Sequence, residues 1–327
     1  MDGGNESMGI HLGYRRIENV IFSYGFYILL ILVCLFFSIM SSVFLSLENM
    51  VVILGSSCFI MLAAGGVTPV FVSGNMDMSI GSIALVSAGI TALLARAGWD
   101  MPSSIGMALL AGAAIGLING ILVTFIKLNS MLTTLGLMIA YRGLGLVITD
   151  GRTIMLPNEY KAFAQIKILN MPIQIAVSLL VMVILYILLK KTRFGAYCYA
   201  MGCNGESVKK LGIPVKRVKV TVYIISGICA AMTGIIVATK LGLMRNTVGK
   251  GMEFRVVAAV VIGGTSLLGG KGNVLPGTLL GVLLLYVIDN GLAGLGASPY
   301  VYPFVQGLII FLAMYMDSLS ALRIKRS

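Results

Sequence analysis

Long apolar runs follow one another along this chain, and no soluble fold needs so many. Val20–Met40 and Ala176–Leu189 are two of them. About 20 apolar residues carry a helix across the hydrocarbon core, whereas a membrane β-barrel needs short alternating strands, which continuous runs exclude. Charged residues make up 11% of the 327 positions, against roughly a quarter in ordinary globular proteins. The class is therefore an all-α polytopic membrane protein. About ten transmembrane spans are expected, near 20–40, 51–72, 79–95, 103–126, 131–149, 171–189, 220–240, 255–269, 274–293 and 301–317.

An even number of spans puts both termini on one side, and the basic residues choose it. With both ends cytoplasmic, 15 of the 24 Lys and Arg residues face inward, Arg15, Lys127, Lys190, Lys271 and Arg323 among them. This is the expected inward bias. The organisation is then a cytoplasmic tail at 1–19, a membrane region at 20–317 with a cytoplasmic loop at 190–219, and a basic cytoplasmic tail at 318–327. The first apolar run is too long for a cleavable signal and reads as an anchor. The net charge of +12 does not form one continuous stripe, so nucleic acid is not an expected partner, whereas membrane lipid is.

The loop at 190–219 is the most concentrated block of charge, with eight basic residues against one acid, Glu206. It contains the signals of a short helix. Asn204 can cap its start, Glu206 lies in the first turn and Lys209 and Lys210 in the last, Gly212 can take the left-handed exit, and Pro214 bars continuation. Val208 and Leu211, three apart, are expected to share one apolar face. The stretch reads either as a docking surface or as an ordinary positive-inside loop.

Two polar, glycine-rich stretches interrupt the apolar pattern, at 72–82 and 263–277. Irregular backbone at membrane depth survives only where protein or a water-filled cavity surrounds it. Gly112, Gly116 and Gly120, and again Gly277 and Gly281, permit close helix contact. Asn119-Gly120 and Gly136-Leu137 recur 171 residues later as Asn290-Gly291 and Gly307-Leu308. The spans concerned run in opposite directions, so the pattern suggests two inverted pseudo-repeats, a common transporter plan.

Catalytic chemistry is scarce. His11 is the only histidine, and the five cysteines show neither a disulfide framework nor metal-ligand spacing, so no metal, cofactor or catalytic residue is expected. The run Gly264–Gly272 fails the phosphate-loop pattern, because Thr265 stands where its first glycine belongs and Gly272 replaces Ser or Thr. Any driving nucleotide must be bound by another polypeptide. Asp77 and Glu253 are placed at span edges within reach of water, as a helix cap and a loop residue respectively. Asp289 either lines a pore or is solvated near the outer end of its span. Ser79, Asn119, Thr133, Thr134 and Asn290 could line a path, or could each make an interhelical hydrogen bond. An ion-coupled carrier finds little support, and a membrane enzyme less.

Several long segments resemble one family. Gly74–Ser82 (GNMDMSIGS), Thr192–Gly227, Gly249–Gly281, Asp289–Leu295 and Ser298–Tyr300 are similar, in order, to segments of the ribose-type sugar permeases of bacterial ABC importers. The resemblance extends from about residue 50 to 316. It implies a non-enzymatic transport subunit of the bacterial cytoplasmic membrane, passing a ribose-like monosaccharide inward by alternating access. Nucleosides, autoinducer-type furanosides and branched-chain amino acids are the alternatives within the same class. The implied partners are a second permease subunit, two cytoplasmic ATPase subunits and an extracytoplasmic sugar-binding protein. Asn204, Gly205, Glu206, Ser207, Val208, Leu211 and Gly212 would then form the helix that couples to the ATPase. Asp77, Ser79, Asn119, Thr133 and Asn290 remain the candidates for the translocation path. The chain departs from the family pattern at Gly205-Glu206-Ser207, where Glu-Ala-Ala is usual, and at Arg255, where an acid is usual.

Overall fold

A computed structural model of the chain describes residues 27–168, 170–298, 300–309 and 311, with the side chain of Glu206 excluded. The expected tails at 1–19 and 318–327 lie outside the described residues. The fold is all-α apart from two small pairings. Helix α1 is Tyr27–Met40. It is followed by α2 (Leu47–Val72), α3 (Ile80–Arg96), α4 (Met101–Phe125), α5 (Ser130–Ile148), α6 (Asn158–Gln165), α7 (Ile173–Lys191), α8 (Arg193–Lys210), α9 (Val215–Leu241), α10 (Met252–Ile262) and α11 (Leu279–Gly294). A short π turn, Val274–Thr278, leads into α11, and α12 occupies 301–309. Two-residue strands pair antiparallel at Ile154–Met155 with Leu243–Met244, and at Lys167–Ile168 with Met171–Pro172.

Six helical stretches among the described residues are long and apolar enough to cross a membrane; α1 and α3 are shorter apolar helices. The chain is a polytopic membrane protein. The helix expected at 255–269 stops at Ile262, because Gly263 and Gly264 follow and Gly264 takes φ +84°. Helix α9 starts five residues before the expected 220, since Pro214 sits at its N-cap and Val215, Lys216 and Arg217 fill its first turn.

Helices α2 and α9 form the centre, packed against each other, with α2 buried over most of its length and α9 over nearly half. A helix that is apolar all round belongs inside such a bundle. Helix α4 packs on α9 and α11 on α2; α3 packs on α9 and α10 on α2; α3 meets α4 and α10 meets α11. Close approach depends on small residues, as the sequence suggested. A methyl group on Gly116 of α4 would stand 2.3 Å from the Tyr223 carbonyl oxygen of α9, and one on Gly281 of α11 would stand 2.0 Å from that of Ala259 in α10. The periphery stays apolar, with Leu110, Ile139, Val147 and Leu180 exposed on α4, α5 and α7. The interior carries hydroxyls instead, and Thr68 of α2 meets Thr278 across 2.8 Å. Such interhelical bonds are worth about 0.6 kcal/mol on average in a membrane protein.

Candidate functional site

Two non-helical breaks and the bent helix α8 converge in one region of the bundle. The first break, 73–79, joins α2 to α3. Asp77 in it is fully buried, as are Ser79 and Asn119. One oxygen of the Asp77 carboxylate accepts from the Ser79 amide at 3.0 Å and the Ser79 hydroxyl at 2.6 Å. The other accepts from the Ser226 hydroxyl of α9 at 2.7 Å. The Asn119 amide of α4 donates to Ser79 Oγ at 2.8 Å, and the Tyr141 hydroxyl of α5 donates to Asn119 Oδ1 at 2.9 Å. The Tyr223 hydroxyl of α9 donates to the Met76 carbonyl at 2.9 Å. One carboxylate thus joins a helix break to α4, α5 and α9.

Several expectations change here. Asp77 is not at a water-accessible edge, and it does not cap α3. Its side chain closes the turn at Ser79 instead, and Ser79, the residue preceding α3, makes no side-chain cap bond. Glu253 is likewise buried, in the first turn of α10 rather than in a loop. Asp289 is part-buried rather than freely solvated. It pairs with Arg255 and accepts from the Gln306 amide at 2.8 Å. Burying either charge alone would be costly, and the pair relieves that cost.

Of the five path candidates, Asp77, Ser79 and Asn119 come together. Thr133 does not join them; its hydroxyl donates back to the Asn129 carbonyl at 2.7 Å. Its neighbour Thr134 reaches the break instead, accepting from the Met78 amide at 3.0 Å. Asn290 also lies apart, in a reciprocal amide pair with Asn49, both bonds 2.9 Å. Sequence reasoning missed Tyr141, Ser226 and Arg255. A phenol isolated in an apolar helix needs an acceptor, and an Arg and an Asp in neighbouring apolar helices need each other. Those signals pointed to Tyr141 and to the Arg255–Asp289 pair. Ser226 had none.

The second break, 263–273, lies against the first and against α8. The Gly270 amide donates to the Val72 carbonyl at 2.9 Å, and the Tyr199 hydroxyl of α8 donates to the Gly272 carbonyl at 2.8 Å. At Gly202 of α8 an added methyl would stand 2.0 Å from the Val72 carbonyl oxygen and 2.2 Å from the Gly270 amide nitrogen. Helix α8 is therefore seated on both breaks at once, backbone against backbone.

Helix α8 starts at the Thr192 cap, earlier than the sequence indicated, and bends at Asn204, whose φ −159° and ψ 92° are non-helical. Beyond the bend the expected short helix is present. Asn204 Oδ1 accepts from the Ser207 amide at 3.1 Å, the N-cap bond. Gly212 takes φ +73° as the exit. Val208 and Leu211 do not share a face, however. Val208 is 4% exposed and packs inward, whereas Leu211 is 76% exposed. Leu211 is the C-cap, already past the last helical turn, so its side chain leaves the helical register. A cavity of about 400 Å³ lies between this bend, residues 73–75, Lys209 and Lys219.

Two cysteines five residues apart on α8 have opposite environments. Burial pushes the Cys198 thiol up to about 12, while Cys203 is exposed. The thiolate is the reactive form, so raising the pKa removes it at neutral pH. Maleimide at pH 7.5 should modify Cys203 within minutes and leave Cys198 unmodified until the protein unfolds, as read by peptide mass spectrometry. Labelling of Cys198 in the folded protein would contradict this packing of α8.

Residues 49–314 match the family model for the permease component of the branched-chain amino acid transport system. The chain belongs to this permease family. It is a transport subunit, not an enzyme, and a multi-pass protein of the bacterial cytoplasmic membrane. It is 38% identical over 296 residues to the ribose import permease protein of Bacillus subtilis, covering 90% of each chain. It is 36% identical over 293 residues to the autoinducer 2 import system permease protein of Photorhabdus luminescens, covering 88% of each. The corresponding autoinducer 2 permease of Yersinia enterocolitica is 35% identical over 281 residues, covering 84% of this chain and 76% of that one. No solved structure matches the chain. The permease match spans both breaks and α8.

Proposed function

We propose that this permease is the membrane-spanning subunit of an ATP-driven importer for a small furanose-type solute, ribose-like sugars first. The observation that carries this reading is the seating of α8 at Gly202 on both helix breaks. A force applied to the Asn204–Gly212 segment reaches the interiors of α2–α3 and α10–α11 through backbone, with no flexible side chain between. That is what a subunit needs if an ATPase outside the membrane is to switch it between outward- and inward-open states. Relatives named for ribose and for autoinducer 2 import support that class of solute. Autoinducer-type furanosides are the second reading.

In this proposal Asn204, Gly205, Glu206, Ser207, Val208, Leu211 and Gly212 form the ATPase-coupling segment. Leu211 presents the exposed apolar contact, while Val208 fixes the segment from below. Two ATPase subunits, a second permease copy and an extracytoplasmic binding protein complete the transporter. The spans number ten: α1–α5, α7 and α9–α12, with both termini cytoplasmic. The matched packing supports two inverted halves, α2–α5 and α9–α12, because α4 on α9 answers α11 on α2 and α3 on α9 answers α10 on α2.

The test is uptake of labelled ribose, and separately of labelled autoinducer 2, into proteoliposomes holding the permease, its ATPase and its binding protein. Uptake should require ATP and all three components. Leu211→Asp should lower it at least about tenfold, the equivalent of losing ~1.4 kcal/mol of subunit contact, with unchanged membrane insertion. Uptake by this chain alone, driven by an ion gradient, would refute the proposal.

A further inference from the structure

At the end of the bundle away from α8, a cavity of about 420 Å³ lies between α2, α9 and α10. Lys240, Arg245, Lys250 and Arg255 all line it, and among the described residues no carboxylate does. Arg255 is already neutralised by Asp289. The other three have no carboxylate within ion-pair reach among the described residues. Lys240 is held in place by the Gly55 carbonyl at 2.9 Å, with its ammonium 5.9 Å from the centre of the Phe59 ring. Three uncompensated cations around one cavity repel each other, and an anion placed among them relieves that repulsion. Helix α10 begins beside them at Met252 without a side-chain cap, adding the positive end of its dipole.

The rest of the lining includes an apolar part made by Phe59, Ile60, Val237 and Leu241. Leu241 and Phe254 next to it are exposed. In the ten-span topology proposed above, this cavity opens at the outer ends of α9 and α10. Outer segments are poor in basic residues, so four of them around one cavity call for a reason. We propose that the cavity binds a phosphate-bearing anion attached to an apolar body, the chemistry of an anionic phospholipid headgroup. The apolar wall and exposed rim take the glycerol and first acyl carbons, and Lys240, Arg245 and Lys250 take the phosphodiester. Lys and Arg next to a membrane surface are attracted to anionic lipid in this way.

The decisive variant is Arg245→Gln/Lys250→Gln, because both residues are exposed. Native mass spectrometry of the detergent-purified permease should retain phosphatidylglycerol in preference to phosphatidylcholine. The double variant should lose that preference by about tenfold, and adding Lys240→Gln should abolish it. A second arm measures the thermal shift given by inorganic phosphate in lipid-free detergent. A phosphate-dependent shift lost in the variant, without selective lipid retention, would keep the anion site and assign it to a free solute. If neither lipid preference nor phosphate shift differs between wild type and variants, the site does not exist. Neither arm uses transport, so failure here leaves the importer reading untouched, and the reverse holds as well.

Discussion

Gly202→Ala should abolish ATP-dependent uptake and destabilise the protein by about 3 kcal/mol, the upper end of the overpacking range. The added methyl meets backbone on two sides, the Val72 carbonyl and the Gly270 amide, at 2.0 and 2.2 Å. Neither can swing away as a side-chain tip could, and moving either breaks the Gly270–Val72 hydrogen bond at 2.9 Å. The control lies three residues further on. A methyl on Gly205 would meet nothing within 4 Å, and alanine there removes the entropic penalty of glycine in a helix, worth about 0.5–1 kcal/mol. Gly205→Ala should therefore be neutral or slightly stabilising. Thermal unfolding in nanodiscs reads both variants, and uptake in proteoliposomes reads Gly202→Ala. Equal behaviour of the two would mean that α8 does not rest on the breaks as described.

The contrast also marks what the sequence could and could not disclose. The apolar runs made the all-α membrane class legible, since nothing else accommodates them. The cap at Asn204 and the exit at Gly212 were legible because both depend on local backbone chemistry. The glycine contacts at Gly116 and Gly281 were legible as spacing. Gly202, by contrast, looked like one glycine among 40, because its role lies in approach to residues 130 and 68 positions away. The reading of Val208 and Leu211 as one face failed for a related reason. Helical periodicity applies only up to the C-cap, and Leu211 is itself the C-cap, one residue before the exit at Gly212. Asp77 and Glu253 were assigned to water because they stand at the ends of apolar runs. The ends of broken helices are inside the protein, however, and hydropathy alone does not distinguish the two situations.

Asp77→Ala should cost about 3 kcal/mol or more, whereas Asp77→Asn should cost about 1. Removing the carboxylate leaves the Ser79 amide, the Ser79 hydroxyl and the Ser226 hydroxyl without their acceptor in a fully buried site. An unsatisfied buried polar group costs about 1–3 kcal/mol, although the hydroxyls can turn to other partners and lessen the sum. Asparagine preserves the geometry. Its carbonyl can take the two Ser79 bonds, and its amide can donate to Ser226 Oγ after that hydroxyl rotates. The outer members of the chain should cost less, about 1 kcal/mol each for Ser226→Ala and Tyr141→Phe. The latter leaves Asn119 Oδ1 without the bond it now accepts at 2.9 Å. Because these bonds share partners, Asp77→Ala combined with Ser226→Ala should cost less than the sum of the two alone. Uptake should follow the same order, since the break that Asp77 ties to α9 is the one on which α8 rests. An alanine variant as stable as wild type would remove Asp77 from that role. Near-normal uptake by a destabilised alanine variant would separate the fold of the break from its part in transport.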